Sequence, residues 1–151
     1  IAPDGGKSME SVDEVEAVAD KGLKGDRYYR RTGSYSEGRG SRGLPDEWRA
    51  ATLIEAEALD IIERDADIDI DAADHRRNIT TKDVPVDHLV DRRFKIGEAV
   101  FEGATLCEPC SYLQETIGVD GVVSALTHRG GLNSKIIESG TIRVGDEIVP
   151  L

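Results

Sequence analysis

Short stretches in which apolar and charged residues alternate, each ended by a glycine, constrain this chain more than any other feature. Phe94-Lys95-Ile96 runs into Gly97-Glu98 before Ala99-Val100-Phe101, and Ile142-Arg143-Val144 runs into Gly145-Asp146 before Ile148-Val149. Alternation at period two lays one face of a strand on a core, and a glycine-acid pair between two such runs makes a tight corner. The two segments read as like corners of one barrel, or as a chance likeness between two hairpins; they are too short to establish duplication. Val12, Val15 and Ala17, spaced by acids, lead through Gly22 and Gly25 into Arg27-Tyr28-Tyr29-Arg30, which predicts two strands about a glycine corner. Ala51–Ile54 is a short apolar run joined to a stretch where Ala58, Leu59 and Ile62 share a helical face. His75 to Thr81 is β-prone, and Pro85 ends it before a short turn around Asp87-His88-Leu89-Val90.

These elements predict a mostly β protein with peripheral helices, built as a closed, largely antiparallel barrel. At 151 residues the chain suits one domain, residues 1–151, around one core. Arg31 to Glu47 is rich in Gly, Ser and Arg and has no periodicity, which predicts a mobile surface loop. Within it Gly38-Arg39-Gly40-Ser41-Arg42-Gly43 matches GxGxxG. No helix follows it directly, so the context for dinucleotide binding is missing.

Thirty acidic residues against 19 basic ones give a net charge of −11, and only six of the 19 are lysine. A duplex-binding domain has the opposite balance, so nucleic acid is not an expected partner. The sequence has no run of 18 apolar residues and no signal pattern in "IAPDGGKSME", so no membrane association is expected and the expected location is cytoplasmic. The acids are spread along the chain and densest from Asp65 to Asp74. They make either an ordinary acidic surface or a halophilic one, and melting in about 0.1 M and about 2 M KCl separates the two. Only the second predicts a marked rise with salt, as screening relieves the repulsion among carboxylates.

Both cysteines lie in Thr105-Leu106-Cys107-Glu108-Pro109-Cys110. Two cysteines make no disulfide framework, and the spacing leaves several readings open. Half a zinc site would need His75, His88, His128 or acids at irregular distances. A thioredoxin-like dithiol would need a βαβ frame, and two buried small hydrophobes would need no chemistry at all. One working sulfur is the fourth reading. Cys110 stands just before a helical stretch in which Leu113 and Ile117 are four apart, and a helix start favours the thiolate that binds metal or carries sulfur. Cys107, at a strand end, is then expected to pack.

Basic residues are scarce, so their clusters are informative: Lys7-Ser8, Lys24-Gly25-Asp26-Arg27, Arg76-Arg77-Asn78 and Arg129 in His128-Arg129-Gly130-Gly131. They read as an anion pocket or as surface ion pairs, and spacing cannot bring them together.

Five segments in order, Gly22–Tyr29, Ala51–Leu59, His75–Ile79, Phe94–Cys110 and His128–Asp146, resemble the MOSC domains, named for the C-terminal domain of molybdenum cofactor sulfurase. The resemblance covers nearly the whole chain and implies a MOSC-type mixed β-barrel with a pocket for the molybdenum cofactor, a pterin-dithiolene with a phosphate tail. It implies Cys110 as metal ligand or persulfide carrier, Arg27 on the phosphate, and Arg76, Asn78, Lys7 and Ser8 near the cofactor; Arg129 is a further candidate. Family reductases act on N-hydroxylated compounds and carry an additional N-terminal region, while the sulfurase carries a pyridoxal-phosphate desulfurase domain. Neither is in this sequence, and no pyridoxal phosphate is expected. The expected function is a cofactor-binding or sulfur-carrying domain served by a sulfur- or electron-donor protein, with reduction of N-oxygenated substrates as the possible reaction. The alternatives are a non-catalytic sulfur-delivery or cofactor-handling module and a CxxC thiol-redox protein.

Overall fold

A computed structural model describes residues 1–33 and 44–151. The GxGxxG match and most of the glycine-rich stretch lie outside the described residues. Among the described residues nine strands form two sheets. The larger has the order β4 (Ile79–Thr81), β3 (Ala51–Glu55), β7 (Leu132–Glu138), β6 (Ala99–Leu106), β5 (Arg93–Ile96), β9 (Ile148–Pro150). The smaller has the order β2 (Gly22–Leu23), β1 (Glu14–Val18), β8 (Gly140–Arg143). The β3–β4 pair is parallel and the other strand pairs are antiparallel. The curled larger sheet makes a mixed half-barrel, and both sheets contribute to one core containing Ala17, Leu23, Leu53, Phe94, Phe101, Ile136 and Ile142. The mostly β fold with peripheral helices is as expected, and among the described residues its barrel is open, each sheet ending in strands paired on one side.

The glycine corners explain the path of the chain. Ile96 faces Ala99 across Gly97-Glu98, so the expected β5–β6 hairpin forms. The second corner is not a hairpin, because β8 pairs with β1 while β9 pairs with β5. It carries the chain from one sheet to the other, with Gly145 at φ 93, where a side chain would be strained. The two corners pack together: the Glu98 N–H donates to the Thr141 carbonyl at 3.1 Å, and the Thr141 N–H donates to Glu98 Oε2 at 3.2 Å.

Strand β3 runs directly into α1 (Ala56–Ala66), which buries Ala58 and Ile62. Helices α2 (Ser111–Ile117) and α3 (Val122–Leu126) complete a second apolar cluster with Ile54, Ile62, Leu113, Val122 and Leu126. The acidic run joins it by alternation: Ile68 and Ile70 are buried, while Asp67, Asp69 and Asp71 are exposed. No helix among the described residues is long and apolar enough to cross a membrane.

Candidate functional site

Asp26 organises one wall. It is 1% exposed, and its Oδ2 accepts from the Ala2 N–H (3.0 Å), Asn78 Nδ2 (3.1 Å) and Arg27 Nη1 (3.1 Å), while Oδ1 accepts from the Tyr28 N–H (3.1 Å). Arg27 is buried with its charge paired, and its Nη2 donates to the Arg76 carbonyl at 3.0 Å. The guanidinium lies 4.9 Å from the Tyr28 ring centroid, a cation–π contact. Burial pushes the Tyr28 phenol above its usual range, against the smaller pull of Arg27, so it stays a neutral hydroxyl.

Arg76 stands at φ 64, in the left-handed region that residues with a Cβ seldom occupy. It donates through Nη1 to the Lys7 carbonyl, and its Nε is buried with no hydrogen-bond partner among the described residues. Burial, and next the charge of Arg27, push it below the usual arginine range. The guanidinium remains charged, and a bound anion would relieve both pressures. Arg77 is committed to backbone: Nε donates to the Gly130 carbonyl at 2.8 Å and Nη2 to the Cys107 carbonyl at 3.0 Å. It ties the segment after α3 to the cysteine segment.

His75 accepts at Nδ1 from the Arg77 N–H (3.0 Å), so Nε2 carries the proton facing Thr80 Oγ1 (2.9 Å). Burial, then the Arg77 charge, lower its pKa from 6.5 to about 4. Between those values the unfolded chain binds the extra proton, so stability is present above about pH 6.5 and is lost as pH falls toward about 4. The linked loss is about 3 kcal/mol. His75→Gln is expected to flatten the pH dependence of the urea midpoint between about pH 5 and about pH 6.5.

After β6 the chain runs from Cys107 to Cys110 without a turn or bend, and Cys110, at φ −145 and ψ 165, is the N-cap of α2. The Cys107 N–H donates to the Gly131 carbonyl at 2.8 Å. Neither cysteine forms a disulfide among the described residues, both are half-buried, and Cys110 also packs against the second apolar cluster. Gly130 permits this close approach, since a Cβ there would fall 2.5 Å from the Cys107 carbonyl oxygen and 2.9 Å from Pro109 Cδ. Gly130→Ala is expected to cost about 1–3 kcal/mol by overpacking, measured by urea unfolding, and to change the alkylation rate of the neighbouring thiols.

These walls line a cavity of about 220 Å³. Arg27, Arg49, Arg76 and Arg77 border it, as do both cysteines, Thr52, Asn133 and the two tyrosines 28 and 112. The four arginines are at most 9% exposed. Glu108 is the one acid among the described lining residues, and its carboxylate turns to His128, accepting from the backbone N–H (2.9 Å) and contacting Nδ1 (3.2 Å). The cavity is therefore locally cationic within a protein of net charge −11.

Of the residues singled out in the sequence, Arg27, Arg76 and Cys110 come together here. Asn78 stands behind the wall, where its Oδ1 accepts from the Thr52 N–H (3.1 Å) and Oγ1 (2.9 Å) and its Nδ2 holds Asp26. Lys7 and Ser8 are exposed, with the Lys7 carbonyl on Arg76. Arg129 is exposed elsewhere and acts electrostatically on Asp65, whose carboxyl Arg64 chiefly lowers. Arg49 was missed. Its signal was a basic residue two places before the apolar run Ala51–Ile54, and its burial comes from the 3₁₀ turn Asp46–Arg49. Cys107 borders the cavity, where packing alone was expected.

Several solved structures share this fold. The YuaD protein from Bacillus subtilis superposes with a TM-score of 0.75 at 17% identity, covering 92% of this chain and 85% of that one. YiiM from Escherichia coli gives 0.69 at 18% identity, covering 99% and 67%. YiiM from Geobacillus stearothermophilus gives 0.63 at 19% identity, covering 70% of this chain and 55% of that one, so the chain matches little more than half the length of that relative. No curated protein matches the sequence. The MOSC domain profile matches residues 41–149, a span that takes in β3 through β9, Cys107, Cys110 and three of the four cavity arginines, and by that match the chain belongs to the MOSC domain family.

Proposed function

We propose that the cavity binds the molybdenum cofactor or a related anionic, sulfur-bearing ligand, with Cys110 as metal ligand or persulfide carrier. The observation that carries this is the meeting of four buried guanidinium groups and two cysteines outside any disulfide in one cavity of an acidic protein. Arginine forks suit phosphate, and soft sulfur suits a molybdenum centre. The unpartnered Arg76 Nε offers a donor for an anion. Among the described residues no three of His, Cys, Asp and Glu come together to hold a metal, so a metal here would bring most of its ligands, as a dithiolene does. When bound, such a cofactor supplies oxygen-atom removal from N-oxygenated substrates. The chain's part is to bind the anionic tail through Arg27 and Arg76, to hold those arginines through Asp26 and Asn78, and to present the Cys110 sulfur. Lys7 and Ser8 act at the exposed side of Arg76; Arg129 has no part in this reading.

The second reading is metal-free sulfur delivery to a partner protein, supported by two reduced cysteines at the cavity wall. Dithiol redox has less support. Three extended residues span about 10 Å, while a disulfide needs Cα atoms within about 7 Å, so mild oxidation is expected to leave two thiols. Elemental analysis of freshly purified protein tests the proposal: molybdenum and phosphorus together are expected. Sulfane sulfur without metal favours delivery, and neither, after growth with molybdate, overturns both.

A further inference from the structure

The cysteine cavity is not the largest recess. A groove of about 860 Å³ is lined by an end strand of each sheet, β4 and β8, and by the corner after β8. Its walls include Leu23, Ile96 and Ile142, which are buried core residues, beside the half-buried Val15, Ile79 and Val84. Among the described residues strand β4 pairs with β3 alone, so its outer edge can accept a further strand. The ionisable groups are unbalanced. Glu14 and Arg143 pair at 3.2 Å, and Asp146 accepts from the Arg143 N–H at 2.7 Å. Glu10, Asp13, Asp83 and Glu147 line the same groove with no ion-pair partner among the described residues.

From this we infer that the seam between the two sheets docks an extended segment of a partner protein in which apolar residues alternate with Arg or Lys. Strand addition on β4 sends alternate side chains to the apolar wall and the others to the carboxylates. A second copy of this chain fits poorly, because it would bring its own net charge of −11 to an acidic rim. The groove adjoins the cysteine cavity: Arg77 lines both, and Met9, in the groove, receives Arg27 Nη1 on its sulfur at 3.3 Å. The inference goes beyond the cofactor reading and stands without it.

The probe is a fluorescent synthetic nine-residue peptide alternating valine and arginine, titrated at about 0.15 M salt and read by anisotropy. Saturable binding is expected, with loss of binding when a central valine is replaced by proline, which blocks pairing. Asp13→Lys with Glu147→Lys is expected to weaken binding about tenfold, and Asp60→Lys with Asp69→Lys, an equal charge change on residues outside the groove, by less than about twofold. No saturable binding, equal weakening by both double variants, or indifference to the proline overturns the inference. A concentration-dependent dimer abolished by the groove variant does so too, assigning the seam to a second copy.

Discussion

Cys110→Ser is expected to abolish retention of molybdenum or sulfane sulfur while the protein stays folded. Serine is a favoured helix N-cap, and position 110 already has the extended backbone of a cap, so α2 should start as before. What serine lacks is the soft sulfur that ligates a heavy metal or carries a persulfide. Cys107→Ser is expected to lose about 1–2 kcal/mol at most and to keep the bound metal or sulfur. Both cysteines line the cavity, so this comparison is sharp. Metal and sulfane sulfur are measured per mole of folded protein, with melting as the check on folding. Equal loss in both variants would make the two sulfurs one functional unit and end the single-sulfur reading.

Asp26→Ala is expected to cost about 3–5 kcal/mol of stability, because removing one partner of a buried pair leaves the other charge uncompensated. Asp26 holds Arg27, Asn78 and the N–H groups of Ala2 and Tyr28, and Ala2 and Arg27 are buried, so their donors lose the carboxylate with little solvent access to replace it. Urea unfolding gives the number. Added inorganic phosphate should recover part of the loss if the arginine cavity takes anions, by mass action on the folded state. A cost under about 1 kcal/mol would mean that Arg27 escapes to solvent and that Asp26 does not organise the wall.

What the sequence determined by itself was local. The β5–β6 hairpin, the passage of β3 into α1 and the start of α2 follow from alternation, a glycine-acid corner and helical spacing within a few residues of each other. Family membership was legible for a related reason, since five ordered segments each keep a local pattern. The second glycine corner shows the limit: its residues match the first, yet β8 and β9 never pair, because β1 and β5 compete for them from distant parts of the chain. Helix α3 was invisible, being five residues long and held by packing against the apolar faces of α1 and α2. The site belongs to the tertiary structure alone. Arg27, Arg49 and Arg76 stand on three separate segments, and their charge signs are the same whether they face solvent or a cavity. Only the curl of the sheet and the buried Asp26 decide that they meet beside Cys107 and Cys110, because burying a guanidinium requires a partner that sequence spacing does not specify.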